Sequence, residues 1–450
     1  MTQNQANFDL LIRGGTVATP GGISQADIGV TGGRIAAIGS LSNAKAADIF
    51  DARGLHVLPG AIDTQVHFRE PGNEHKEDLS TGSLAAVLGG VTAVFEMPNT
   101  APPTTTRAAI EDKLARARGR MWCDHAFYAG ATPANIGALA ELERMPGVAG
   151  IKAFLGSSTG TLLLSKEADI LAALKAGRRR VAVHSEDEDR MIQRKPLAER
   201  GRPQTHPVWR DAESARLSTE RVLRLARAAG RRLHVLHVTT GDEIPLLADA
   251  KDIATAETTP QHLTLSAPEC YDRLGTYAQM NPPIRDESHR TALWDAVRQG
   301  VIDVIGSDHA PHTREEKDRT YPDTPSGMPG VQTLVTLMLD HVNKGNLTLE
   351  RFVDLTASGP QRIFGIAGKG RIARGYDADF TIVDMALTRE IQNSWIASRC
   401  GWTPFDGMKT KGWAVAAVLR GAFVMREFAA VGAARGAPVR FVETLEPSGA

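Results

Sequence analysis

The first feature of this 450-residue chain is what it lacks: cysteine is scarce, net charge is absent and long apolar runs are missing. The three cysteines, Cys123, Cys270 and Cys400, have no C-x-x-C spacing, which argues against a disulfide framework or a thiolate zinc site. They indicate a reduced, cytoplasmic protein. Lysine plus arginine and aspartate plus glutamate each number 52, so nothing favours nucleic acid or an anionic membrane surface as a partner. We also expect neither a signal peptide nor a membrane span.

The pattern of apolar runs changes twice along the chain and predicts three segments. Residues 1–57 and 366–450 contain short strands separated by glycine turns, and we expect them to meet as one β-sandwich. Residues 58–365 alternate apolar strands with helical stretches, which favours an α/β fold with a parallel barrel. Residues 431–450 should be poorly ordered or form an extended arm. The predicted barrel strands cover residues 61–67, 91–97, 126–130, 150–155, 180–184, 233–238, 253–257 and 301–307.

Polar side chains gather at the carboxyl ends of these predicted strands, where parallel barrels carry their functional groups. Gln65, His67 and Arg69 alternate at the end of the first strand, so they share one face. His125, His234 and His262 lack comparable support, and we expect them to be structural. Further candidates at the ends of later strands are Asn99, Lys152, His184, His237, Asp308 and His312.

Three imidazoles and one carboxylate at such strand ends, from His67, His184, His237 and Asp308, suit a divalent metal such as zinc. Lys152 does not fit this set as an ammonium, because metal ligands must be neutral or anionic. If the lysine reacts with carbon dioxide, it becomes a carbamate, which is an anion able to bridge two metals. The sequence contains the lysine but cannot show the modification.

The motifs around these residues resemble those of the dihydroorotases of the amidohydrolase superfamily, over nearly the whole chain. The resembling stretches are residues 63–72 (DTQVHFREPG), 96–100 (EMPNT), 151–160 (IKAFLGSSTG), 183–187 (VHSED), 280–285 (MNPPIR) and 307–312 (SDHAPH). The resemblance implies a distorted TIM (β/α)8 barrel beside a composite β-sandwich. It also implies one or two zinc ions, with these ligands: His67, carboxylated Lys152 as the bridge, His184, His237, Asp308 and, more weakly, Gln65.

The resemblance further implies a substrate and a reaction. Arg69, Asn99 and His312 would bind the carboxylate of dihydroorotate, while Asn281 and Gly327 would contact its ring. A metal-bound hydroxide would attack the ring amide, with Asp308 as general base and then general acid. The product would be N-carbamoyl-L-aspartate, in a step of pyrimidine biosynthesis. The family also leans towards homodimers.

Gln65 departs from the family, which has the first histidine of an H-x-H pair at this position. An amide oxygen is a poorer zinc ligand than imidazole. Three interpretations follow: Gln65 binds weakly, only one metal is held tightly, or the chain is a non-catalytic partner of aspartate carbamoyltransferase. The survival of the other five ligands favours an active enzyme.

Allantoinase and hydantoinase are the alternative activities, because they share the metal centre and open related rings. Their substrates lack the carboxylate of dihydroorotate, and the fork-shaped guanidinium of Arg69 suits a carboxylate. A separate open question concerns residues 313–329, which are rich in charge and proline. They are either a lid over the barrel mouth or an ordinary connection.

Overall fold

A computed structural model describes residues 7–158 and 160–445. The amino-terminal strands are β1 (Asn7–Thr19), β2 (Gly22–Thr31), β3 (Arg34–Gly39), β4 (Lys45–Asp51) and β5 (His56–Pro59). The barrel strands are β6 (Ala61–Val66), β7 (Val91–Glu96), β8 (Asp124–Gly130), β9 (Val148–Phe154), β10 (Val181–His184), β11 (Leu233–Val235), β12 (Ala254–Thr258) and β13 (Val304–Ile305). The carboxyl-terminal strands are β14 (Phe380–Glu390), β15 (Lys409–Leu419), β16 (Ala422–Arg426) and β17 (Ala429–Ala430).

Strands from both ends of the chain form one nine-stranded sheet. β1 pairs with β2 on one edge, and with β4 and then β5 on the other. β14 pairs with β5 and thereby joins the carboxyl-terminal strands to the amino-terminal ones. Their apolar side chains, including those of Leu10, Val17, Phe380 and Val418, share one buried core. The predicted composite β-domain is confirmed, and its physical reason is that neither segment alone has enough apolar surface to bury.

The other eight strands are parallel and follow one another in sequence order, as a (β/α)8 barrel requires. The first and last strands meet through a bridge between Val66 and His309, and the His67 amide donates a 2.7 Å hydrogen bond to the His309 carbonyl. The predicted barrel is confirmed. No helix in the described parts of the chain is both long and apolar enough to cross a membrane. The longer helices are Leu79–Leu88, Arg107–Ala117, Glu167–Lys175, Glu188–Arg194, Ala212–Ala229, Glu287–Gln299 and Leu334–Asn343.

Two barrel strands are shorter than the sequence predicted. β11 ends at Val235 rather than near residue 238, and β13 covers only two residues. His237 has a φ of 36° and Asp308 a φ of 43°, and both values lie in the left-handed region. A residue with such a backbone conformation cannot continue a strand. The conformation of His237 therefore ends β11 early, and the side chains of His237 and Asp308 both lie at the barrel mouth.

The carboxyl-terminal arm is extended over residues 431–441, ends in a 3-10 turn at Val442–Thr444, and docks against the amino-terminal ends of the barrel strands. It forms bridges between His125 and Pro438 and between Ile366 and Phe441. The ring of Phe441 is fully buried, with its centroid 5.7 Å from that of Phe95. Of the two predicted behaviours, the extended arm is confirmed for these residues, and positions 446–450 lie outside the described part.

Candidate active site

A cavity opens at the carboxyl ends of the barrel strands. Parallel strands bring the residues that follow them to one face of a barrel, which is why distant parts of the chain meet here. Ser158, Ala310 and Ser326 form part of its wall. The predicted site residues on its surface are Gln65, His67, Arg69, Asn99, Lys152, His184, His237, Asn281, Asp308 and Gly327.

His184 and His237 form one pair of nitrogen donors. Nδ1 of His184 lies 3.0 Å from Nε2 of His237, and burial lowers the pKa of both rings, so both are neutral at pH 7. Nε2 of His184 lies 2.8 Å from the Glu186 carboxylate. Burial opposes ionisation of Glu186, but the Arg210 guanidinium and, next to it, the His184 ring outweigh burial and lower the pKa of Glu186 to about 2. A carboxylate only accepts hydrogen bonds, so His184 carries its proton on Nε2 and presents the Nδ1 lone pair to the cavity.

His67 and Asp308 form the second pair, with Nε2 of the ring 3.2 Å from Oδ1 of the carboxylate. Nδ1 of His67 donates to the amide oxygen of Asn99 over 2.7 Å. Burial lowers the pKa of His67, so the neutral ring turns the lone pair of Nε2 toward the Asp308 oxygen. Two acceptors this close repel each other, and a cation bound by both would relieve that repulsion.

Gln65 contacts the second pair. Its Nε2 donates a hydrogen bond of 2.9 Å to Oδ1 of Asp308. Its other polar atom, Oε1, is buried without a hydrogen-bond partner among the described residues. A buried oxygen of this kind requires a partner such as a water or a cation. The geometry is compatible with weak ligation by Gln65 and with a purely hydrogen-bonding role towards Asp308.

Lys152 is fully buried, and its Nζ lies 4.4 Å from the centroid of the Phe154 ring. Burial lowers the pKa of Lys152 to about 7, although the negative charges of Asp308 and Glu257 oppose the shift. A substantial fraction of the amine is therefore uncharged at neutral pH. The uncharged amine is the form that reacts with carbon dioxide, so the site meets the chemical requirement for a carbamate.

The donor set fits a metal ion only when Lys152 is included. Within residues 7–158 and 160–445, no three His, Cys, Asp or Glu side chains are grouped so that they alone could hold a metal. The four such donors form the two pairs described above, and Lys152 lies on the same cavity surface. A carboxylated Lys152 would add anionic oxygens to both pairs, and nitrogen and oxygen ligands of this kind suit zinc.

Arg69 brings a positive charge to the cavity. Its side chain is buried, and its Nε donates to the carbonyl of Pro311 over 3.2 Å. No carboxylate among the described residues lies within 4.0 Å of its guanidinium, as an ion pair would require. Burial lowers the pKa of Arg69 to about 10, so the group remains protonated at neutral pH. The cavity therefore contains an unpaired cation able to accept an anionic ligand.

His312 is buried next to Arg69. Its Nε2 lies 3.3 Å from Nη2 of Arg69 and 3.1 Å from the Ser326 carbonyl, while its Nδ1 lies 3.2 Å from Nζ of Lys76. His312 therefore lies next to Arg69 and to the wall residue Ser326. The sequence predicted that His312 binds the substrate itself, and that contact stays a prediction.

The segment 313–329 forms one wall of the cavity, to which it contributes Ser326 and Gly327. The buried Nζ of Lys317 donates hydrogen bonds to the carbonyls of Gln279, Pro325 and Gly327 over 3.0–3.2 Å. Two of these carbonyls belong to the segment itself, and that of Gln279 lies outside it. The wall is thus well anchored at this point. Opening of the segment as a lid stays a prediction.

Sequence reasoning missed three side chains that organise the site: Glu186, His206 and Arg210. Glu186 lies two residues after His184 in an extended segment. This spacing puts both side chains on the same side of the chain, and it is the signal by which the sequence could have identified Glu186. His206 binds the Asn281 side chain, with 3.0 Å between Nε2 and Oδ1. His206 and Arg210 lie in and just after the four-residue helix His206–Trp209, where no periodic pattern marks them.

Known proteins share this fold and these motifs. A family model described as "Amidohydrolase family" matches residues 217–424, and one described as "Dihydro-orotase-like" matches residues 54–243. A dihydroorotase from Halobacterium salinarum is 40% identical over 389 residues, which cover 85% of this chain and 89% of that protein. An allantoinase from Rubrobacter xylanophilus is 36% identical over 434 residues, which cover 92% and 93%.

Among solved structures, an L-hydantoinase (dihydropyrimidinase) from Arthrobacter aurescens is similar, with a TM-score of 0.91 and 29% identity. The match covers 96% of this chain and 99% of that one. The fold and the relatives together define a barrel hydrolase that acts on cyclic amides. The chain belongs to the amidohydrolase family, and within it to the dihydro-orotase-like cyclic amidohydrolases.

Proposed function

We propose that this protein is a dihydroorotase, which interconverts dihydroorotate and N-carbamoyl-L-aspartate by opening and closing the ring amide. The observation that carries the proposal is Arg69, a buried guanidinium on the cavity surface without a carboxylate partner among the described residues. Burying a charge is unfavourable unless it is paired. The carboxylate of dihydroorotate would supply the partner, whereas allantoin and simple hydantoins have none.

We further propose that His67, His184, His237, Asp308 and a carboxylated Lys152 hold one or two zinc ions. The support for this is the two donor pairs on one cavity surface and the lowered pKa of the lysine. Zinc in such a site acts as a Lewis acid that polarises the scissile carbonyl and makes water more acidic.

The protein groups then have distinct tasks. Arg69 binds the substrate carboxylate through two parallel N–H donors and so fixes the ring in the cavity. Asn281 and the Gly327 region, which also line the cavity, contact the ring. Oδ1 of Asp308 is held by Gln65 and lies beside His67, which leaves Oδ2 to accept a proton from the attacking water. Asp308 then returns that proton to the leaving ring nitrogen.

Allantoinase or hydantoinase activity is the second candidate, because relatives with those names match almost the whole chain. A non-catalytic partner of aspartate carbamoyltransferase is the third. It is disfavoured because the donors of both pairs and Lys152 line the cavity together.

Turnover assays on zinc-loaded protein test the proposal. We expect dihydroorotate and N-carbamoyl-L-aspartate to be interconverted, and Asp308→Asn to fold normally but lose turnover. Turnover of allantoin or a hydantoin in place of dihydroorotate would show that the second candidate is correct. Inactivity on all of these, together with tight binding to aspartate carbamoyltransferase, would establish the third.

A further inference from the structure

A buried ion pair lies on the outer side of the first donor pair. Arg210 donates two hydrogen bonds to the Glu186 carboxylate: its Nε lies 3.1 Å from Oε1, and its Nη2 contacts Oε2. Both side chains are buried, at 4% and 0% exposure. A buried ion pair contributes little net stability compared with apolar residues of the same size, so stability alone does not account for it.

The geometry of Glu186 indicates a further role for the pair. The same oxygen, Oε2, that contacts Arg210 also lies 2.8 Å from Nε2 of His184. A carboxylate paired with a guanidinium acts only as an acceptor, so it requires a proton on Nε2 of the imidazole. In the neutral ring, Nδ1 then has the lone pair and faces His237 across 3.0 Å. Acceptors of this type orient metal-binding histidines in many proteins.

Arg210 also reaches the wall of the cavity. Its Nη2 donates to the carbonyl of Ser157 over 2.8 Å. The amide and hydroxyl of Ser157 each donate to the Glu188 carboxylate over 2.6 Å. Ser157 therefore has its carbonyl, amide and hydroxyl all held, and its neighbour Ser158 lines the cavity. One guanidinium thus links the orientation of His184 to the position of the wall residue Ser158.

We propose that Arg210 is a positioning residue that acts through Glu186 to hold the His184 imidazole in its metal-binding tautomer, and through Ser157 to set the cavity wall. The inference rests on the proposed metal site but not on which cyclic amide is the substrate. Loss of an outer partner of a metal ligand typically weakens metal affinity about 10- to 100-fold.

Metal binding by Arg210→Met and Arg210→Lys tests this role. We expect zinc affinity, measured by competition with a chromophoric chelator, to fall about 10- to 100-fold in Arg210→Met. Arg210→Lys should be intermediate, because an ammonium keeps the charge but cannot form all three bonds. In the cobalt-substituted proteins, the visible absorption band should change, since it reports the ligand geometry. Arg202→Met is the matched control, because Arg202 pairs with Glu199 at the surface of the same segment.

A zinc affinity within twofold of wild type and an unchanged cobalt spectrum in a folded Arg210 variant would overturn the proposal, because a merely structural ion pair behaves in that way. Arg210→Met leaves Glu186 unpaired and buried, and it can fail to fold for that reason. Arg210→Lys retains a cation and then decides the question. Both readouts are independent of turnover, so they also remain decisive if dihydroorotate proves not to be the substrate.

Discussion

The role of Arg69 in binding a carboxylate leads to a prediction with a defined size. Removing one partner of a buried charge pair typically costs about 3–5 kcal/mol. Since each 1.36 kcal/mol is a factor of ten, Arg69→Gln should lower kcat/KM for dihydroorotate by about two to four orders of magnitude. The carboxylate does not change charge during the reaction, so most of the loss should appear in KM.

The assay compares two substrates that differ only in the carboxylate, dihydroorotate and 5,6-dihydrouracil. For dihydrouracil, whose ring lacks the anionic group, we expect Arg69→Gln to change kcat/KM little. Arg69→Lys should lie between wild type and Arg69→Gln, because an ammonium keeps the charge but loses the fork geometry. Lys76→Gln is a matched control, since Lys76 is a nearby cation already paired with Glu316.

The reasoning is refuted if Arg69→Gln impairs both substrates equally, because the residue would then act on the fold or the metal. It is also refuted if dihydroorotate turnover is unchanged.

Four further predictions test the metal site and the fold. Gln65→His should raise the zinc bound per subunit, measured by elemental analysis; an unchanged count would mean that Gln65 does not limit metal binding. Lys152→Ala should abolish turnover and metal retention, and surviving activity would show that no carbamate is needed. Because the pKa of Lys152 falls to about 7, the ammonium dominates below that pH and the reactive amine above it. Carbamate formation in metal-free protein, followed by 13C NMR with labelled bicarbonate, should therefore increase from about pH 6 to about pH 8, and a flat profile would contradict the shift. Phe441→Ala should lower the free energy of unfolding, measured by denaturant titration, by about 3–5 kcal/mol. The control Val442→Ala changes an exposed side chain and should alter this free energy little. A loss below about 1 kcal/mol in Phe441→Ala would mean that packing of the arm does not stabilise the barrel.

Much of the fold and most of the cavity surface follow from local sequence features. Apolar runs followed by polar residues predicted eight strands, and in a parallel barrel every strand end faces the same way. Residues as distant as His67 and Asp308 were therefore predicted to meet, and the structure brings them to 3.2 Å. The composite β-domain was predictable for a related reason, because two short β-segments each need a partner to bury their apolar faces.

The early end of β11, by contrast, depends on backbone conformation. Left-handed values at Arg69, His237 and Asp308 are unfavourable for residues other than glycine, and they persist only because surrounding contacts hold them. No local pattern in the sequence predicts such backbone strain. The clustering of these three residues at one cavity is consistent with a functional site that the rest of the fold supports.

The sequence by itself determined which chemical groups are available: imidazoles, a carboxylate, a lysine and a guanidinium at the ends of parallel strands. Only the tertiary structure decided their states. Burial makes the pKa of Lys152 about 7, and Glu186 with Arg210 selects the tautomer of His184. The fold also brings His312 to 3.3 Å from Arg69, while its contact with a substrate stays a prediction. Desolvation and hydrogen bonding depend on neighbours far apart in the chain, so these properties cannot be read from one segment.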